Sequence, residues 1–283
     1  MAPRPIMDPT KAPCGCLTTV YRDYDFLQRW VNYYSTQFDR QHLYIISQGN
    51  DPQHREIARG CNVIGIPRDA GLYRHERRMG NILSNFCAGL LRYYNWMIVG
   101  GVDEIVVLDP EQGESVESYL HQYETGAPGM EGGVPETLTP FGIELLPQAP
   151  VAAGDRHADE PVLQHQHRFR IDPILSKPCL VRKQVKSFEA ASEPSHEAGF
   201  MDPHLYLLHL RYCDEALFIA RLKARDSEPR AADEEIEFKK ITEMLQVPPQ
   251  GKVLEGDADL NVLREDAENR GVYCLPARFS GLY

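Results

Sequence analysis

Along the first hundred residues, short apolar runs alternate with stretches whose apolar positions recur every three to four residues. This is the pattern of a sheet built from βαβ units. Residues 16–21 read as a strand. In 24–38, Phe26, Leu27, Trp30, Val31 and Tyr34 share one helical face, and Asp23 stands where it would cap the helix start. A second strand at 42–47 ends in the turn-forming Gly49-Asn50-Asp51-Pro52, and 62–66 is a third. Across 75–94, Met79, Ile82, Leu83, Phe86, Leu90, Leu91 and Tyr94 keep helical spacing, and a buried strand follows at 96–99. Extended chain resumes at 105–108.

Past Pro110 the periodicity loosens. A short helix is predicted at 116–123, a glycine-rich stretch occupies 126–133, and 147–161 reads as a polar, proline-flanked loop. Strand-like runs return at 164–171, 179–188 and 204–210, and helical patterns at 216–225 and 233–245. The sequence shows no internal repeat, and the last 35 or so residues carry no clear period. The expected fold class is α/β, a mixed, mostly parallel sheet flanked by helices. The expected division is a main domain over 1–225 and an acidic, partly helical C-terminal extension over 226–283.

Composition narrows the function classes. At about 100–200 residues per domain, 283 residues suit one large domain or one with an appendage. The 42% hydrophobic and 25% charged content argues against wholesale disorder, collagen and a disulfide scaffold. No apolar run approaches the roughly 20 residues of a membrane span, and the N-terminus lacks the apolar stretch of a secretory signal, so the expected location is the cytoplasm. Seven cysteines, an odd number without paired metal spacing, are expected to be free thiols. Between 226 and 268 there are 13 acidic and 5 basic residues, which concentrates most of the net charge of −11 there. A polyanion such as DNA would be repelled, so no nucleic-acid partner is expected; a small anionic ligand in a locally basic cleft is compatible.

Candidate chemistry concentrates at Asp103 and Glu104, adjacent carboxylates where a buried strand of an open α/β sheet ends. Ligands bind such sheets at the carboxyl ends of their strands. Gly100 and Gly101 allow close approach of another group, and a divalent cation held by oxygen ligands there would neutralise phosphate oxygens. The competing reading is that the two acids open a surface turn. His209 alternates in phase with Leu205 and Leu207 and so faces the interior, either as a hydrogen-bonded core residue or as a ligand. His165 and His167 fall on one side of a strand, either as a metal pair or as part of an exposed strand.

The segment from Asn95-Trp96 to Asp103-Glu104 resembles the D-W-hydrophobic-D-x-D-E-F motif of GT-A glycosyltransferases of the family-2-like and family-92-like group. Other pieces follow in that group's order. Tyr24 to Tyr34 resembles its first helix and Leu43-Tyr44-Ile45-Ile46 its second strand. Ser176-Lys177-Pro178 resembles its K-P element, and His204 to Tyr212 its late strand ending in a histidine and a basic residue. Together these pieces span roughly residues 16–225. Two positions depart from the motif: its first Asp falls on Gly101 and its Phe on Ile105.

The resemblance implies a GT-A (Rossmann-like) domain over 1–225 that moves a sugar from a UDP- or GDP-linked donor to a hydroxyl of a glycan or glycoconjugate. It implies a weakly bound Mn2+ or Mg2+, held by Asp103 and His209 and dependent on the donor's diphosphate because Gly101 brings no charge. Donor contacts are expected from Thr19, Tyr21, Arg22, Asp51, Gly101, Val102 and Lys177, and from Arg77, Arg78 and Asn81 at the start of the long helix. For the arginines, a solvated helix face is the alternative. Asp103 and Glu104 are the expected catalytic acids. A base on the acceptor side would come from Glu189, Glu193 or Glu197 around His196, with Glu193 taken as representative. A catalytically silent nucleotide-sugar or glycan-binding protein of the same fold is the alternative that Gly101 motivates. A nucleotidyltransferase would ordinarily carry a glycine-rich phosphate loop where Tyr21-Arg22-Asp23 stands.

Overall fold

The structure, a computed structural model, describes residues 7–68, 75–123, 134–147, 163, 168–186, 188, 199–224, 235–236, 238–240, 254–257, 259–265 and 271–282. The first half runs β1 (Ala12–Val20), α1 (Tyr24–Gln37), β2 (Leu43–Gln48), α2 (Pro52–Ile57), β3 (Asn62–Ile66), α3 (His75–Leu90) and β4 (Tyr94–Gly101). After it come β5 (Glu104–Leu108), α4 (Val116–Gln122), β6 (Thr137–Leu145), β7 (Arg168–Ile171), β8 (Leu180–Val181) and β9 (Phe200–His209). The described chain closes with α5 (Glu215–Ala224), β10 (Leu254–Asp257), a short helix at Leu260–Glu265, and β11 (Tyr273–Cys274).

One mixed sheet connects the strands in the order β10-β11-β7-β6-β8-β4-β1-β2-β3, and β9 joins β6 to β5. The block β4-β1-β2-β3 is parallel throughout, as the alternation of strand and helix requires. Both of its faces are covered. Cys14, Cys16, Ile45, Trp96 and Ile98 pack with Phe26, Trp30 and Tyr34 of α1, while Leu17, Ile46, Met97 and Val99 pack with Leu83 and Cys87 of α3. Neighbours along a strand thus serve opposite layers, and for that reason these strands read as continuous apolar runs. All seven cysteines are free.

Several boundaries move. Asp23 stands at the N-terminus of α1 but makes no capping hydrogen bond; its carboxylate turns to Arg221 instead. The 75–94 helix ends at Leu90, because a turn at Leu91 to Tyr93 intervenes before β4. The strand read at 179–188 shortens to Leu180–Val181, wedged antiparallel between β4 and β6. A short helix, α2, follows Asp51, whose carboxylate accepts from the Gln53 amide at 2.9 Å with Pro52 in the first turn.

Strand β6 was invisible to periodicity because every residue in it is buried and Pro140 interrupts it. The proline is accommodated at a register break: β9 pairs with Thr139 through Met201, then resumes at Phe141 through Tyr206. Asp202 fills the break, accepting from the His204 and Leu205 amides at 2.8 and 2.9 Å.

The described part of the acidic tail joins the same sheet. β11 pairs antiparallel with β7, and Leu260, Leu263, Leu275 and Phe279 enter the main core. Arg278 grips Asp109 through two bonds of 2.9 Å, and Arg264 donates to the Asp202 carbonyl at 2.5 Å. Of the helix read at 233–245, residues 235–236 and 238–240 are helical. Among the described residues no helix is long and apolar enough to cross a membrane.

Candidate functional site

The chain order β1, β2, β3 proceeds to one side of the sheet, and β4 then takes its place on the other side of β1. The strand order therefore reverses between β1 and β4, and in open α/β sheets the carboxyl ends of the strands at such a reversal are where ligands bind. Register aligns Thr19 with Gly101 at that point, and Thr18 Oγ1 donates to the Gly100 carbonyl at 3.0 Å.

Asp103 and Glu104 follow immediately, and they are not a surface turn, being only 4% and 8% exposed. Antiparallel pairing sets Glu104 opposite His209, and parallel pairing sets His209 beside Glu144 of β6. Paired residues on adjacent strands present side chains to the same face, so one row across three strands carries an acid, an imidazole and a second acid. The Leu210 amide donates to the Asp103 carbonyl at 2.8 Å, fastening the turn to the end of β9.

Chain cations saturate this cluster. Asp103 Oδ2 receives Arg221 Nη1 at 2.7 Å and Arg211 Nε at 3.3 Å, with His209 Nε2 at 3.5 Å. Glu104 Oε1 pairs with Lys177 Nζ at 2.5 Å, while its Oε2 accepts from the Gly101 amide at 2.7 Å. His209 Nδ1 lies 2.8 Å from Glu144 Oε1, and Arg221 Nε lies 3.3 Å from Asp23 Oδ1. Asp214 orients α5 by capping the Ala216 and Leu217 amides, and this helix carries Arg221 inward over the Phe26 ring.

Burial raises the pKa of the Asp103 carboxyl, but Arg221, Arg211 and His209 outweigh it and hold the group well below the usual carboxylate range. Glu104 follows the same logic: burial raises it, and Lys177 and His209 bring it below normal. For His209, burial favours the neutral ring, yet Glu144 and Asp103 prevail and lift its pKa to about 9. Lys177 and Arg221 are likewise raised, because their carboxylate partners overcome the cost of burial.

Gly101, the motif's missing acid, has a steric explanation. A Cβ built there would lie 2.7 Å from Asp103 Oδ1, and one on Gly100 would lie 2.9 Å from Glu104 Oε2. The carboxylates fold back over the strand end into the space that two absent side chains leave. Gly101→Asp should therefore push Asp103 off its cations and cost about 1–3 kcal/mol. Thermal denaturation checks this, with Gly101→Ala as the smaller insult; an unchanged midpoint in both variants would show that the carboxylate yields freely.

Beyond the ends of β1, β2 and β3 lies a second polar group. The Arg68 guanidinium stacks 3.4 Å from the Tyr21 ring centroid and donates to Gln48 Oε1, and Gln48 Nε2 donates to Thr19 Oγ1 at 2.9 Å. Arg22 is exposed in the left-handed region, at φ 59°. Asp51 is committed on both oxygens, to its own helix cap and to the Tyr24 hydroxyl at 2.7 Å. Val102 turns its side chain into the main core. Arg77, Arg78 and Asn81 are exposed on α3, in keeping with a solvated helix face.

Sequence reading missed the roles of Arg211, Arg221, Glu144, Gln48 and Arg68. Glu144 gave one signal, a lone acid in an otherwise apolar run, and Arg211 another, the basic residue closing the late-strand motif. Glu189, Glu193, His196 and Glu197, like His165 and His167, lie outside the described residues.

As arranged, the cluster does not fit the divalent ion that the resemblance implies. Asp103 Oδ2 carries two guanidinium contacts, both nitrogens of His209 face carboxylates, and among the described residues no three His, Cys, Asp or Glu side chains are disposed to hold a metal. No protein-family model matches the sequence, and no curated protein matches it as a relative.

Proposed function

We propose that the protein is a GT-A-like glycosyltransferase that moves a sugar from a UDP- or GDP-linked donor to a hydroxyl of a glycan or glycoconjugate. The observation that carries this reading is a buried pair of carboxylates, Asp103 and Glu104, at the strand ends where strand order reverses, with basic side chains gathered round it. The Tyr21–Arg68 stack at the neighbouring strand ends offers a flat π surface for a nucleobase, and Gln48 and Thr19 offer polar edges. Sugar and diphosphate would then lie toward the carboxyl ends of β1 and β4, outside the space beside Gly101 that the Asp103 carboxylate fills.

In this reading the acceptor oxygen attacks the anomeric carbon. The bond from that carbon to the β-phosphate oxygen breaks, and the nucleoside diphosphate leaves with the electron pair. The hydroxyl proton passes to a base on the acceptor side, for which Glu189, Glu193 and Glu197 remain the candidates. Positive groups aimed at the leaving oxygens lower the barrier most, since charge develops there.

The test is a thermal-shift screen of UDP- and GDP-sugars followed by assay of nucleoside diphosphate release with glycan acceptors. A binding donor at about 100 times its Kd should stabilise the fold by about 2.7 kcal/mol. Release that disappears in Tyr21→Ala supports the enzyme. Donor binding without turnover across acceptors would favour the silent sugar-nucleotide-binding alternative, which the occupied state of Asp103 also suits. No shift with any donor would end both readings.

A further inference from the structure

We propose that His54 is a positioning residue for the nucleotide: its neutral imidazole fixes the β2–α2 turn through Ser47, and protonating it in mild acid loosens that turn and weakens donor binding. The proposal rests on the glycosyltransferase reading and concerns what holds the base platform in place.

Residues 48–51 join the end of β2 to α2, and the platform is built against them. Gln48, the last residue of β2, donates to Thr19 Oγ1 at 2.9 Å and accepts from Arg68, whose guanidinium stacks on the Tyr21 ring. Gly49 and Asn50 both take the left-handed backbone, at φ 83° and 55°. Gly49 is tied outward to the Ile66 carbonyl of β3 at 2.8 Å. Inside the turn the Asn50 amide reaches the Ser47 carbonyl only at 3.4 Å, so side chains supply the closer fastening.

That fastening runs through His54. The Asp51 amide donates to Ser47 Oγ at 3.2 Å, and Ser47 Oγ lies 2.8 Å from His54 Nδ1. The Asp51 carboxylate takes the Tyr24 hydroxyl at 2.7 Å, and the Tyr24 ring packs on the imidazole with centroids 5.6 Å apart. Ser47 and His54 are both 0% exposed. With Ser47 Oγ already accepting from Asp51, its one proton is left for His54 Nδ1. This assigns the ring proton to Nε2, which is buried with no hydrogen-bond partner among the described residues.

A charge on this ring would be poorly met. A proton on Nδ1 reverses the bond to Ser47 and leaves the serine hydroxyl without its acceptor, while Nε2–H stays unpaired on what is now a buried cation. Of the charged and titratable groups around the ring, Asp51 favours protonation, and Arg22 of the β1–α1 turn offsets part of that carboxylate's charge. Tyr24 of α1 is a neutral phenol committed to Asp51, and Arg55 on the ring's own helix donates to Asn50 at 2.6 Å. Burial outweighs Asp51 and lowers the His54 pKa. The contribution of the neutral ring is therefore complete above ~6.5 and is lost as pH falls from there through the folded value.

The experiment measures binding of UDP-glucose, UDP-N-acetylglucosamine and GDP-mannose to the full-length chain by calorimetry from pH 7.5 to 4.5, with circular dichroism as the check on folding. The diphosphate of a nucleotide sugar is esterified at both ends, so its own charge is constant over this range. Affinity should hold down to pH ~6.5 and then fall, by about tenfold per unit once pH is below the folded value of His54. His54→Ala removes the acceptor for Ser47 and should weaken binding about tenfold at pH 7.5. His54→Asn places Oδ1 where Nδ1 stood and cannot titrate; it should recover most of that loss and vary by no more than about twofold across the range. If His54→Ala does not fold, the native and His54→Asn profiles still decide. An equal loss in acid for those two, or no loss in the native protein, would overturn this proposal and leave the glycosyltransferase reading standing. No binding of any of these nucleotide sugars at pH 7.5 would overturn both.

Discussion

Asp103→Asn should destabilise the protein by about 3–5 kcal/mol, a loss of the size measured when one partner is removed from a buried ion pair. The substitution keeps the shape of the side chain and removes its charge. Arg221 would remain buried at 8% exposure with Asp23 as its only close anion among the described residues, and Arg211 and His209 would lose the oxygen on which they converge. For a chain of this size the melting temperature should fall by roughly 5–10 °C. Arg221→Gln alone should cost a comparable amount for the mirror-image reason. The double variant should lose clearly less than the two single losses added, because both members of one contact depart together. Strict additivity in that cycle would mean that the 2.7 Å contact contributes no coupling. The effect belongs to folding as much as to function: a fall in nucleotide release in Asp103→Asn is interpretable only beside its unfolding curve.

How much of this was legible beforehand differs between the two halves of the chain. In β1 to β4 every element except the short α2 obeys one period, so Trp30 and Tyr34 identify the buried face of α1, and Trp96 to Val99 identify a strand buried on both sides. In the second half, strands are defined by partners distant in sequence. β6 contains Pro140 and no polar alternation, and it is a strand because β7, β8 and β9 all pair with it. The site divides in the same way. Asp103, Glu104 and His209 could be picked out because they lie in compact motifs on one side or other of a predicted strand. Arg221 and Glu144 could not, since nothing local states that a helix after β9 returns to the end of β4, or that β6 lies beside β9. The charge on Asp103 was visible in the sequence, and the guanidinium that neutralises it was 118 residues away.

His209 gives the cluster a pH signature on the alkaline side. Its pKa of about 9 in the folded chain stands above the ~6.5 of an unfolded histidine, so folding takes up a proton between those values. The stabilisation is complete below ~6.5 and is lost as pH rises through 9; at ~1.4 kcal/mol per unit it amounts to about 3 kcal/mol at most. Asp103 and Glu104 have depressed pKa values, so what they contribute is complete above the unfolded carboxylate range of ~4 and is lost as pH falls through their folded values. The two arms together place the cluster's greatest contribution between pH ~4 and ~6.5. Melting temperatures of the native protein should decline from pH 6.5 to 9.5, and those of His209→Gln should start lower and decline less, the two curves converging at the alkaline end. Parallel curves would show that the ring carries no proton between Asp103 and Glu144. The imidazole is 4% exposed and lies between Asp103 and Glu144, so its charge goes to holding β5, β9 and β6 in one row.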